Sequence, residues 1–332
     1  MSTASAHPLH IDPATVADDI ARAVAEQVAG SLRRRGVVVA LSGGVDSSVC
    51  AGLAVRALGP ARVLGLAMPE REGDPRSLEL ARAWADALGI ELVVEDVTAI
   101  LEAFGCYRRR DAAARRVVPE FGPGWGMKVV LPGLDAERLN VTRLVVRAPD
   151  GTERTERLPG HVYREIVAAS SFKQRARKMM EYFHADRLHY AVMGTPNRLE
   201  YDQGFFVKGG DGLADLKPIA HLYKTQVYAL ARWLGVPDGV LSRPPTTDTY
   251  SLPQTQEEFY FALPAATLDV LLHARNGGLA PVEAALRAGV LPPQAAAAYE
   301  DIARKRAATR PLHVTSLLVE PVPEVGGGGE AG

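Results

Sequence analysis

Between residues 15 and 32 apolar side chains recur at Val16, Ile20, Val24 and Val28, the spacing of one helix face, with Asp12 or Thr15 placed to cap it. The chain before about Ile11 lacks such a pattern and reads as a mobile lead-in. Val37-Val38-Val39-Ala40-Leu41 is instead an unbroken, β-branched run that meets glycines at once, which predicts a strand buried on both faces over 36–41. A helix of small residues is expected over 46–58, a strand over 62–68, a helix over 77–88 and a strand over 91–97. Helix 170–184 and strand 188–194 resume the rhythm. Strand and helix alternating across short connections predict an α/β fold with a doubly wound parallel sheet.

Residues 106–165 break that rhythm. They contain Gly122-Pro123-Gly124-Trp125-Gly126, then two alternating runs, 139–148 and 152–158, around Pro149-Asp150-Gly151. Asp-Gly between alternating runs is a hairpin signal, so this stretch reads as an insertion carrying a β-hairpin. After Gly235 the pattern is mostly helical. Residues 326–332 are glycine-rich and read as a flexible tail. The organisation expected is one domain over 1–318 and a tail over 319–332, with no internal repeat.

Composition narrows the function classes. The 332 residues carry 38 Lys+Arg against 39 Asp+Glu, a formal charge of −1, so the chain as a whole offers no pull toward nucleic acid or an anionic membrane. Two cysteines, Cys50 and Cys106, outside any Cys-x-x-Cys pair, argue against a disulfide framework or a cysteine-held zinc. The N-terminus has no basic-then-apolar secretion signal, and no apolar run is long enough to span a bilayer. The expectation is a soluble, cytoplasmic protein.

The candidate chemistry concentrates in Leu41-Ser42-Gly43-Gly44-Val45-Asp46-Ser47-Ser48. A buried strand delivers two glycines and three hydroxyls to a helix start, where free N–H groups favour an anion and glycine permits close approach. A Walker A loop would place a lysine here; this loop has Asp46. A carboxylate beside phosphates repels them unless a divalent cation lies between, so Asp46 implies magnesium.

Ser-Gly-Gly-x-Asp-Ser after the first strand resembles the loop of the ATP pyrophosphatases, in which it holds the pyrophosphate leaving group while a substrate oxygen is adenylated. Further motifs narrow the resemblance. Arg175-Ala176-Arg177-Lys178-Met179 is followed by Gly194-Thr195-Pro196-Asn197-Arg198-Leu199-Glu200. The run from Gly204 to Ile219, Leu222-Tyr223-Lys224-Thr225-Gln226-Val227 and Pro244-Pro245-Thr246 complete the series. Together, over about 30–105 and 166–310, they resemble the ammonia-dependent NAD synthetase family.

That resemblance implies roles by position. Leu41, Ser42, Gly43, Gly44, Val45, Asp46, Ser47, Ser48, Thr195, Lys224 and Thr246 would bind ATP. Asp46 and Glu200 would hold Mg2+. Arg175, Lys208, Asp215, Arg304 and Lys305 would meet the acid substrate, and Asp46, Lys208 and Lys224 would carry the catalysis. It also implies deamido-NAD as the acid, ammonia (free or from a separate glutaminase) as the nitrogen source, a homodimer, and no nucleic-acid or membrane partner. The carboxylate would attack the α-phosphate of ATP, giving an acyl-adenylate and pyrophosphate, and ammonia would displace AMP. The departures are Gly209 where an aromatic often follows the motif lysine, the polar Thr247-Asp248-Thr249-Tyr250, Arg304-Lys305-Arg306 in place of His-Lys-Arg, and the insertion. They leave two alternatives open: the same chemistry on another carboxylic acid, or a nucleotide-binding module without turnover.

Other residues have plainer readings. His184, His189 and His221 suit packing or capping better than ammonium deprotonation, and Cys50 suits the core. Cys106 has no visible partner for a nucleophilic role. Arg33–Arg35 and Arg108–Arg110 read as solvated faces, the second run within conceivable reach of substrate phosphates. Asp202 and Asp211 read as turn residues or supports for a ligand, and Trp125 and Tyr163 as packing of the insertion or a stack on a base.

Overall fold

The protein is described from a computed structural model covering residues 8–130, 142–247 and 249–322. The start of the lead-in, the first residues of the 139–148 run, Asp248 and the glycine-rich tail lie outside the described residues.

Four strands form the parallel sheet: β1 (Val37–Ala40), β2 (Val63–Ala67), β3 (Glu91–Val94) and, much later, β7 (Ala191–Met193), in the order β3-β2-β1-β7. Val37 pairs with Val63 on one side and Ala191 on the other. Val37 and Val39 enter a core shared with Val24, Val49, Leu53 and Leu230, whereas Val38 enters the opposite core with Leu64, Leu101 and Ala176. Period-2 alternation therefore buries both faces of β1, which is why its sequence is continuously apolar. Asp12 caps helix Pro13–Glu26, accepting the N–H groups of Ala14 and Thr15. No helix among the described residues is long and apolar enough to cross a membrane.

The stretch read as an insertion holds more structure than a hairpin. Helix Cys106–Arg115 comes first, then β4 (Gly126–Val130), β5 (Arg143–Arg147) and β6 (Glu153–Arg157), an antiparallel sheet in that order. The expected hairpin is β5–β6: Arg147 faces Glu153, and Asp150 accepts the N–H of Thr152 at 2.9 Å. Met127, Val129, Leu144 and Val146 fill a separate small core.

Helix Gly160–Leu188 begins ten residues before its expected start at 170, inside the insertion. Val162, Ile166 and Ala169 continue the helical period backwards. Its first turns pack Val162 and Ile166 into the core of the antiparallel sheet, and its later turns pack Ala176 and Ala185 against the parallel one. Helices Ala265–Asn276, Pro281–Ala288 and Pro292–His313 make the helical C-terminal part, preceded by irregular chain over 244–247 and 249–255 and a short π-helix, Glu257–Phe261.

Candidate active site

Strand β1 ends into Leu41–Gly44, and helix Val45–Leu58 starts at once with Gly44 as its N-cap. Gly43 sits at φ +71°, and a Cβ there would stand 2.6 Å from the Ser77 carbonyl oxygen, so the position suits glycine alone. Hydroxyls lock the turn: Ser47 Oγ and Ser48 Oγ donate to the Gly44 carbonyl at 3.0 and 2.9 Å, and Ser42 Oγ accepts the Gly44 N–H at 3.3 Å. On the far side of β1, strand β7 opens into Gly194–Asn197. Consecutive strands β1 and β2 go one way and β7 the other, so both loops flank a switch point at the carboxyl ends of the sheet, where open α/β sheets bind ligands.

A charged cluster bridges these two loops. Lys224 Nζ, buried, donates to Asp46 Oδ2. Asn197 Nδ2 donates to Asp46 Oδ1 at 3.0 Å, while its Oδ1 accepts the N–H groups of Leu199 and Glu200. Glu200 answers by accepting the Asn197 N–H at 3.1 Å, a capping box that fixes both side chains at the start of helix Arg198–Gln203. Gln256 Nε2 donates to the other Glu200 oxygen at 2.9 Å. Burial and then the charge of Asp46 push the Glu200 carboxyl up to about 7. Burial alone would lower Lys224, but Asp46 and Glu200 outweigh it and hold it above the usual lysine range. Asp269 Oδ1 and Oδ2 accept the N–H groups of Lys224 and Thr225 at 3.2 and 2.7 Å, anchoring the helix that presents the lysine.

A cavity of about 790 Å³ opens over this cluster. Leu41, Ser42, Gly44, Val45, Asp46, Ser47, Thr195, Glu200, Lys224 and Thr246 all line it. Gly43 lies behind its surface against Ser77, and Ser48 is buried. The five residues expected at the acid substrate stand apart from the lining. Arg175 is exposed, with Nε donating to the Lys208 carbonyl at 3.3 Å. Lys208 Nζ donates to the carbonyls of Pro311 and Val314 at 2.9 and 3.3 Å. Asp215 accepts Tyr182 Oη and the Val192 N–H, and Arg304 pairs with Asp301. Lys305 reaches the wall indirectly: its Nζ lies 4.5 Å from the ring centroid of Tyr260, which lines the cavity, and pairs with Asp301 at 2.6 Å.

Two carboxylates beside a phosphate-type loop suit magnesium, which takes one or two carboxylates and completes its shell with phosphates and water. Among the described residues no group of three or more His, Cys, Asp or Glu is placed to hold a metal, so the fit is to a cation shared with a phosphate ligand, through Asp46 and Glu200.

The sequence matches the NAD synthase family over residues 16–118 and 137–308. This chain belongs to that family. It is 56% identical over 322 residues to the NH(3)-dependent NAD(+) synthetase of Rhizobium rhizogenes, covering 97% of each chain. The synthetase of Thermotoga maritima is 37% identical over 245 residues, 72% of this chain and 79% of that one. Among solved structures, an NH3-dependent NAD synthetase from Campylobacter jejuni shares the fold at a TM-score of 0.61 and 21% identity, over 93% of this chain and 100% of that one.

As an NAD synthase family member, the chain carries wall residues that sequence reasoning missed. Lys173, Arg177 and Lys178 line the cavity from helix Gly160–Leu188, whereas Arg175 on the same helix does not. Asn197-x-x-Glu200 was visible as a capping-box pattern. Nothing local marks Gln256 or Asp269. Asp202 pairs with Arg306 at 2.6 Å and Trp125 lies 5.9 Å from Phe121, both away from the cavity, whereas Asp211, which accepts the Val207 N–H at 2.7 Å, is part of its lining. None of His184, His189 and His221 lines the cavity, whereas Tyr163 does. Both cysteines are buried, and burial pushes the Cys106 thiol up to about 11, unfit for a nucleophile.

Proposed function

We propose that the chain uses ATP and ammonia to convert the carboxylate of deamido-NAD to a carboxamide, giving NAD, AMP and pyrophosphate. The observation that carries this reading is the convergence of the hydroxyl-rich loop, Asp46, Glu200 and Lys224 on one cavity wall, in a chain 54–56% identical to curated ammonia-dependent NAD synthetases. Loop N–H groups and the Ser42 and Ser47 hydroxyls bind phosphate oxygens. Asp46 and Glu200 hold magnesium, which when bound neutralises phosphate charge. Lys224 places a fixed positive charge where negative charge grows as the carboxylate attacks the α-phosphate. Thr195 and Thr246 meet the nucleotide from the opposite loops.

The unit that acts is residues 1–318, since helix Gly160–Leu188 is common to both sheets. A homodimer suits the acid-site residues. Arg175 and Asp215 are exposed outside the cavity, and the Arg175 helix carries exposed Met179 and Phe183 that a partner subunit would cover. Two buried thiols left unpaired suit the reducing cytoplasm. The insertion gives little reason for a different acid. A relative of equal coverage, 97% in both directions, leaves no room to lack it and bears the NAD synthetase name.

The test is pyrophosphate release with ATP, Mg2+, ammonium and deamido-NAD, scoring NAD by mass. Asp46→Ala should lower the rate by about two orders of magnitude or more. Parental turnover in that variant overturns the site. Absence of NAD from the unsubstituted protein, in a preparation that binds ATP, overturns the substrate.

A further inference from the structure

The segment over 249–255 contains neither helix nor strand, yet it leads into Gln256, which meets Glu200 at 2.9 Å. Something must hold it. Strand β4 does so along its length. The Leu252 N–H donates to the Met127 carbonyl at 3.1 Å, and Ser251 Oγ accepts the Met127 N–H at 2.9 Å. Gln254 Nε2, on a buried side chain, donates to the Val129 carbonyl at 2.6 Å. Lys128 pairs with Glu258 at 2.6 Å. The approach is close enough that a Cβ on Gly126 would stand 2.5 Å from Leu252 Cδ2. From the nucleotide side, the Gln256 N–H donates to the Pro245 carbonyl at 3.0 Å, and Thr246 bridges Thr255.

The consequence falls on a carboxylate that needs a fixed plane. A glutamate turns freely about its last torsion unless both oxygens are held. Glu200 is held on one oxygen by the Asn197 N–H and on the other by Gln256 Nε2. Asn197 also holds Asp46, so Gln256, Glu200, Asn197 and Asp46 form one connected set. Outer donors of this kind orient the groups that ligate a cation.

We propose that Gln256 is a positioning residue for Glu200, and that β4 of the inserted sheet is the template that sets it there. The inserted sheet thereby takes part in cation binding without touching the cation. The inference rests on the reading of Glu200 as a cation-holding residue, and its test separates the two.

Mn2+ serves as the probe, its affinity for the full-length protein measured by electron paramagnetic resonance with a non-hydrolysable ATP analogue present. Gln256→Met keeps length and bulk but removes the donor. Mn2+ affinity should fall about tenfold or more, and the Mg2+ concentration for half-maximal turnover should rise to match, with kcat recovered at saturating Mg2+. Gln254→Met, which frees the segment from Val129, should shift affinity the same way, and the double variant should add little to Gln256→Met. Unchanged Mn2+ affinity in Gln256→Met, beside a weakened Glu200→Gln, overturns the inference alone. Unchanged affinity in Glu200→Gln overturns the cation reading itself. A Gln254→Met variant that melts earlier but binds Mn2+ normally overturns the template role of β4.

Discussion

Arg110→Met tests how the inserted helix is joined to the parallel sheet. Arg110, 3% exposed, reaches Glu72 with two guanidinium nitrogens at 2.5 and 2.9 Å and Asp111 at 2.7 Å. Glu72 also accepts Lys173 Nζ at 2.9 Å, and Lys173 bonds Glu70 at 2.9 Å. Burial works to raise the Glu72 carboxyl, but Arg110 and Lys173 outweigh it and hold the group at about 2 against an ordinary 4.5. A depression from 4.5 to about 2 corresponds to about 3 kcal/mol of stability. Because the folded value lies below the unfolded one, that contribution is complete well above pH 4.5 and is lost as pH falls toward 2. Methionine fills the volume but leaves Glu72 with Lys173 alone, so urea unfolding at pH 7 should register a loss of about 3 kcal/mol. Between pH 7 and pH 3 the gap between variant and parent should narrow by about 1–2 kcal/mol. Adding Glu72→Gln should recover part of the loss, since the buried charge left short of a partner is then gone. A cost below about 1 kcal/mol at pH 7, or a gap that ignores pH, refutes the reasoning.

Substitutions at two further positions probe the site's supports. Asp269→Ala strips two buried N–H groups of their acceptor at the helix that presents Lys224, and should cost about 2 kcal/mol in urea unfolding along with most turnover. Asp269→Asn keeps one acceptor oxygen and should retain most of the stability. Burial raises Asp269 to about 6 despite the Thr225 N–H, so its charge opposes folding increasingly from pH 3.8 up to that value, and the asparagine should flatten this part of the stability profile. Gly43→Ala puts a Cβ against Ser77 at φ +71°, and should cost about 1–2 kcal/mol and weaken ATP binding, read by melting with and without nucleotide.

The legible features were those whose cause is local. The β-branched run of β1, the two glycines and Asp46 sit within ten residues, and the loop they predict is the one observed. The Asn197–Glu200 cap is four residues long. Arg108–Arg110 shows the opposite case. A run of three arginines reads as a solvated face, yet Arg110 is buried, because its partner Glu72 is 38 residues away and the second cation on that carboxylate is 101 residues from it. Gln256 meets Glu200 across 56 residues, through a segment with no periodicity of its own. The early start of helix Gly160–Leu188 was readable from Val162, Ile166 and Ala169. The inserted sheet hides it, because residues 160–165 close the interruption and already form the first turn of the helix that carries the cavity wall.

If the site works as proposed, the charges around Lys224 bear on the order of binding. Under the proposed function, Lys224 is already paired with Asp46, and burial beside Asp46 keeps Glu200 partly neutral, so the empty cluster holds no spare positive charge to draw a bare triphosphate to the loop. On that reading a divalent cation should charge Glu200 as it arrives and enter together with ATP, and nucleotide affinity should fall when the cation is withheld. Lys224 then cannot remain solely the partner of Asp46. Its anchorage by Asp269 through the backbone, not the side chain, leaves the ammonium free to turn from the carboxylate toward phosphate while the helix stays fixed. Backbone anchorage with a free side-chain end is what a lysine needs if it is to be buried and paired before the reaction and available to the transferring phosphate during it.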